Sequence, residues 1–406
     1  MSSLLSRRDL LRDALTAAAG ACGALAAAPM INLGRFRLFA HSTVDYSARA
    51  IRLVRESLVV DMLNPFSLDF PRLGKWQAEP ERFTAADFQR FRDSGIDVFH
   101  IAVGTGGPDA YASTVQFIGA WNSFIAGQDE RMMRIDSPAD LDRVKRSGKV
   151  GILLGVQNSE HFRTPADVDA FHALGQRVSQ LTYNARNMIG DGSTERTDTG
   201  LSDFGVSIVE RMNQVGMAVD VSHCGERTSI DACEVSKKPV LITHSNARAL
   251  NPRHPRTKSD EAIRAMAKTG GVMGITSVRM FVKAEEPTTV EDMLDHYAHV
   301  AKLVGVEHLG VGSDIDLDGY DDMPPEENKK LRAFYKGSYG FREKLDIEGV
   351  DHPKRMYDLT EGLIRRRFTD ADIRLILGGN FRRVLGEVWT VPPRPEKPPA
   401  EKAPQG

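Results

Sequence analysis

The 406-residue sequence predicts an α/β protein built as a (β/α)8 TIM barrel, and three observations carry that expectation. From residue 58 onward, short apolar runs alternate with helix-period patterns, the signature of βαβ units and a parallel sheet. Eight such runs occur, the number that closes a barrel. No glycine-rich phosphate loop follows the first run, which argues against the open, doubly wound dinucleotide-binding sheet.

The runs fall at 58–61, 98–103, 150–156, 179–182, 217–221, 239–243, 271–275 and 308–312. Barrel chemistry gathers at the C-terminal strand ends, so the residues that close each run are the informative ones. The barrel is expected over 45–390. Ahead of it, Ser6-Arg7-Arg8-Asp9-Leu10-Leu11 precedes an uncharged, Ala-rich stretch from Ala14 to Met30. That order looks like a twin-arginine export signal, so 1–40 is expected to be signal and linker, with a periplasmic or extracellular destination. An Ala-rich stretch makes a poor permanent membrane span. Behind the barrel, 391–406 is too rich in proline and polar residues to pack and is expected to be disordered.

Hydrophobic residues at 41% and charged residues at 27% permit a sizeable core. A net charge of -2 without a dense Lys/Arg run excludes a nucleic-acid footprint. Of the three cysteines, Cys22 lies in the segment expected to be removed. Cys224 and Cys233 are too few for a disulfide framework, and free thiols are the simpler expectation for them.

Run five ends Asp220-Val221-Ser222-His223 and run six ends Thr243-His244-Ser245-Asn246. Neighbouring strands lie ~5 Å apart, so two imidazoles at matching strand ends can address one metal ion. Run eight leads into Gly312-Ser313-Asp314, and Asp314 is the expected catalytic carboxylate, with a turn cap as its alternative. Asp318 before Gly319 reads as a turn. The segment 318–352, with Tyr320, Phe334, Tyr335 and Tyr339, either walls the site or packs on the surface.

Together with His254-Pro255-Arg256 and Leu377-Gly378-Gly379-Asn380-Phe381, these motifs resemble the membrane (renal) dipeptidase family over about 58–388. The resemblance implies a zinc-dependent barrel of the metal-dependent hydrolase type that cleaves dipeptides with a metal-bridging hydroxide. It implies that His223 and His244 bind the second zinc, Arg256 holds the substrate carboxylate and Asp314 manages the catalytic proton. Three positions depart from the pattern. The family's first-zinc His-x-Asp pair falls where Asp61-Met62-Leu63-Asn64-Pro65 stands, and neither Leu63 nor Pro65 can ligate a metal. Its bridging glutamate is Gln157, a neutral amide and a weak zinc ligand. Its substrate-side histidine is Tyr183.

The resulting expectation is a divergent, exported member with one zinc or other divalent ion on His223, His244 and a third group, either Gln157, Asp314 or His100. Glu160 and His161 are expected to be solvated loop residues. Asp314 and Tyr183 are the expected catalytic residues, with Arg256, Tyr183 and Asn64 contacting a dipeptide or small amide. The alternative is a non-catalytic small-molecule-binding barrel. Polar replacements at three strand ends, Asn64, Gln157 and Tyr183, favour altered function over decay. Family members often form homodimers, but no apolar helical stripe marks an interface here.

Overall fold

Runs rich in Val and Ile become eight parallel strands: β1 (Val60–Asp61), β2 (Val98–Val103), β3 (Val150–Val156), β4 (Val178–Gln180), β5 (Ala218–Asp220), β6 (Val240–Ser245), β7 (Val272–Ile275) and β8 (Leu309–Val311). β-branched residues fit a pleated surface covered on both faces, and all seven residues of β3 are buried. The computed structural model describes residues 34–38, 44–335 and 337–390. The expected export segment, apart from 34–38, and the proline-rich tail lie outside the described residues.

The sheet closes. β8 meets β1 at Val311 and Asp61, β1 pairs with β2, and β2 pairs with β3 from Val98↔Gly151 to Val103↔Val156. Closure leaves the ring without an edge, which an open doubly wound sheet would keep. A short strand, Met132–Arg134, was not among the expected runs; it pairs with 150–152 of β3, whereas β4 pairs with β3 only at Gly155 and Val156. Strands four and five stop sooner than their apolar runs, so Leu181, Thr182 and Val221 already belong to loops at the mouth.

Outside the barrel, helices start at local caps. Thr164 and Asp167 form a capping box for Pro165–Leu174, and Thr289 and Asp292 form one for Val290–Val304, each satisfying otherwise unpaired backbone donors. The C-terminal helix Asn380–Trp389 closes the N-terminal end of the barrel. Its Phe381, Val384, Leu385 and Val388 pack with Val60, Val98, Val178, Ala218 and Val272, residues that open their strands. A Cβ on Gly310 would stand 2.2 Å from the Phe381 ring, so glycine is required there. Asn380 ties the helix down by donating from Nδ2 to the carbonyls of Val306 and Leu309, at 2.7 and 2.8 Å. The Leu377-to-Phe381 motif is thereby structural.

Among the described residues no helix is long and apolar enough to cross a membrane. Cys224 and Cys233 are free, as the simpler expectation held. At the opposite end from the C-terminal helix, the segment after β8 carries the helix Pro325–Phe334 and lies across the barrel mouth.

Candidate active site

The two strand-end histidines face each other. His223 Nε2 and His244 Nε2 are 2.9 Å apart, and both rings are buried. Each ring's other nitrogen is committed. His223 Nδ1 lies 2.8 Å from Asn184 Oδ1, an oxygen that can only accept, so Nδ1 carries the proton. Thr243 spends its hydroxyl proton on Asp220 Oδ2 at 2.6 Å and therefore accepts from His244 Nδ1 at 2.8 Å. Both Nε2 atoms consequently present lone pairs to one point. Burial, reinforced by the Arg256 charge, pushes both imidazoles well below their ordinary range, so protonation is a poor way to relieve the clash of lone pairs.

Beside this pair is an inner cavity of about 160 Å³, walled by Leu63, Pro65, Gln157, His223, Asp314 and Tyr183 among others. Gln157 is half-buried, and its Nε2 donates to Ala102 O at 3.4 Å. Asp314 sits in the left-handed region at φ 60, unusual for a non-glycine residue, with its N–H donating to Leu63 O at 2.9 Å. Burial, opposed by Arg256, raises its carboxyl to about 7. The segment after β8 supplies Tyr320, Tyr335, Tyr339, Phe341 and Leu345 to the same wall. Of the two readings of 318–352, the wall is the one the structure shows.

Other expected site residues are placed differently. Asn64 is fully buried and lines neither this cavity nor the one outside it; its Nδ2 donates to Asp61 Oδ2 at 3.1 Å, and its Oδ1 accepts from the Phe66 N–H at 2.9 Å. Both bonds hold the turn that follows β1. Arg256 is 1% exposed and also lines neither cavity. Its Nη1 donates to Ser222 O, and its Nη2 to His244 O at 3.2 Å, so the guanidinium fork clamps the strand ends that carry the histidines. Tyr183 reaches the cavity, but its hydroxyl is hydrogen-bonded to Tyr335 Oη. His100 Nδ1 is 2.6 Å from Met62 O, while Nε2 is buried without a hydrogen-bond partner.

His161 is not solvated. It is fully buried, with Nε2 3.0 Å from Gln176 Oε1, and burial lowers it to about 4. Glu160 is half-buried on a second, outer cavity. Sequence reasoning missed Asn184 and Thr243 as partners of the site. Asn184 follows Tyr183 directly, and Thr243 precedes His244, so adjacency to a strand-end motif was the available signal. Lys258, also missed, is buried with Nζ on Cys224 O at 2.7 Å and Ser229 Oγ at 2.8 Å.

The sequence profile of membrane dipeptidase (peptidase family M19) matches residues 47–336. The chain belongs to this family. It is 28% identical over 375 residues to the dipeptidase verJ of Clonostachys rogersoniana, covering 86% of this chain and 88% of that protein. It is 30% identical over 266 residues to the dipeptidase tcpJ of Claviceps purpurea, covering 64% of this chain and 56% of that one. Among solved structures, an amidohydrolase from Pseudomonas aeruginosa superposes with a TM-score of 0.71 at 30% identity, covering 84% of this chain and 99% of that one. The probable dipeptidase PvdM from the same organism shares the fold, with a TM-score of 0.65 at 20% identity over 84% of this chain and 97% of that chain.

As a membrane dipeptidase family member, the chain is a hydrolase of the metallo-dipeptidase type. Among the described residues no group of three His, Cys, Asp or Glu side chains converges as a metal-ligand set. The donor chemistry fits one ion nonetheless, because two neutral imidazoles offer lone pairs at one point. Leu63 and Pro65 offer no side-chain donor to the cavity, Gln157 offers a neutral amide, and Asp314 is the carboxylate on the same wall.

Proposed function

We propose that the chain hydrolyses a dipeptide or a small amide with a single divalent cation, zinc or a similar ion, held by His223 and His244, with Gln157 and water completing the shell. The observation that carries this reading is the convergence of the two Nε2 lone pairs, each fixed by a hydrogen bond on the far side of its ring. A bound ion of that kind supplies Lewis acidity and a water that ionises near neutral pH.

The protein's own groups do the rest. Asn184 and Thr243 hold the ring tautomers, which keeps both Nε2 atoms free of protons. Arg256 fixes the two carbonyls at the strand ends and so the spacing of the rings. Asp314, with its carboxyl raised to about 7, is poised between protonated and ionised forms near neutral pH, where a group that passes a proton to a leaving amine works best. Tyr183, Tyr335 and the apolar wall exclude bulk water from the cavity. The family match and the dipeptidase relatives support the hydrolase reading, and none of them supports the non-catalytic barrel. Action outside the cytoplasm is part of the proposal, on the strength of Arg7-Arg8 ahead of an uncharged run.

The test is metal content together with turnover. Protein purified without added metal and then titrated with zinc should take up at most one equivalent tightly. Hydrolysis of an Ala-Ala-type substrate should vanish on chelation and return with that equivalent. Two tight equivalents, or turnover untouched by chelation, would overturn the reading.

A further inference from the structure

The barrel mouth holds a second chamber, larger than the inner one. Its volume is about 550 Å³, and it shares Gly104, Tyr183, Tyr335 and Tyr339 with the inner cavity of about 160 Å³. The inner cavity falls below the ~300–1,000 Å³ typical of small-molecule sites, whereas the outer one lies within that range. Between them stands an aromatic partition. Tyr183 Oη and Tyr335 Oη are 2.5 Å apart, and the Tyr335 and Tyr339 rings stack with centroids 4.4 Å apart.

The outer wall has its own chemistry. Of its charged residues, Arg186 is bound to Asp191 and to Thr197 O, so its charge is offset. Glu160 is held through Oε2 by the Gly107 N–H at 2.8 Å and by Asn158 Nδ2 at 3.2 Å. These are neutral donors, and they orient the carboxylate without neutralising it. Gly106 is part of the same fit, since a Cβ there would stand 2.7 Å from Glu160 Oε2. Phe334, Tyr335 and Tyr183 add aromatic faces to this wall. A fixed carboxylate beside aromatic faces is an arrangement that selects a cation.

We propose that this outer chamber is a second substrate subsite that takes a positively charged group, an ammonium or guanidinium, extending from the amide that reacts in the inner cavity. The inference rests on the hydrolase reading above. The mostly apolar inner wall, with Leu63, Val278, Met280, Phe281 and Leu345, takes the uncharged part of the substrate.

The experiment compares kcat/KM for Lys-Ala and Ala-Lys with the same dipeptides carrying norleucine, a near-isostere without the charge. In one of the two orders the wild type should favour lysine at least tenfold, and in Glu160→Gln that ratio should fall to within threefold of unity. Ala185→Trp, which crowds the chamber at another wall position, should lower the same ratio without touching Glu160. Equal turnover of lysine and norleucine substrates by the wild type, or an unchanged ratio in Glu160→Gln, would overturn the subsite while leaving the hydrolase reading intact. Where no peptide is turned over, calorimetric binding of the corresponding phosphinate dipeptide analogues reads the same ratio. A lysine preference that Glu160→Gln removes would then support the subsite and count against the hydrolase reading alone.

Discussion

The ring of Tyr183 lies flat against the imidazole of His223, with centroids 4.1 Å apart and planes 19° from parallel. The stack covers the face of His223 while the Tyr183 hydroxyl is spent on Tyr335. Tyr183→Phe therefore keeps the cover and removes only the hydroxyl. We expect kcat/KM to change by less than about tenfold, where loss of an oxyanion donor costs ~10²–10³ in kcat. A drop of a hundredfold or more in steady-state kinetics would give the hydroxyl a direct role at the reacting carbonyl.

Asn184 positions His223 through its Nδ1 proton. Removing such an outer-shell partner weakens metal binding by roughly 10–100-fold. Asn184→Ala should do so in a chelator competition assay, and Asn184→Asp, which retains an acceptor, should recover most of the affinity. Wild-type affinity in Asn184→Ala would show that the tautomer is held by something else.

Asp314 supplies a pH signature in the metal-free protein. Its folded carboxyl is raised to about 7 from an ordinary 3.8, so the folded state holds a proton that the unfolded chain has already lost. Stability contributed by this group is present at acid pH and falls as pH rises through that window. The Asp314→Asn variant should therefore gain on the wild type between pH 5 and pH 8, by a few kcal/mol at most, since each tenfold change in a protonation equilibrium is worth ~1.4 kcal/mol. Urea unfolding with chelator present measures it. A constant difference between the two proteins across that range would contradict the assignment.

Gly155 makes room for His100, because a Cβ at that position would stand 2.1 Å from His100 Nε2. Overpacking of this kind typically costs ~1–3 kcal/mol. Gly155→Ala should be destabilised by that amount, and the double variant with His100→Ala should recover much of it, a non-additivity a double-mutant cycle reads directly. Additive losses would mean that the two positions do not share the space.

Export gives the last expectation. With Arg7 and Arg8 both changed to Lys, the precursor should remain inside the cell, as fractionation and immunoblotting would show. Normal export of the double variant would remove the twin-arginine reading.

Much of the architecture was legible from local pattern. Apolar runs of the right length and spacing named the eight strands, because burial on both faces of a parallel strand leaves a mark within a few consecutive residues. His223, just past β5, and His244, in β6, were legible for a related reason: a strand end fixes where a nearby side chain stands, and adjacent strands bring their ends together. Partner choice was not legible. Asn184 holds His223 across 39 positions, and Tyr335 reaches Tyr183 across 152, distances over which no periodicity carries information.

Arg256 shows the same division in one residue. By itself the sequence determined that a cation follows β6 within a family-like motif, and that Leu63, Pro65 and Gln157 stand where the resemblance had led one to expect metal ligands. Only the tertiary structure decided that the Arg256 fork turns to the carbonyls of Ser222 and His244 and that Asn64 turns inward to Asp61. It also brought the segment after β8 over the mouth, dividing the space into two chambers. Residue type sets what a side chain can bond, but its rotamer settles on whichever buried donors and acceptors would otherwise go unpaired, and those are contributed by strands distant in the chain.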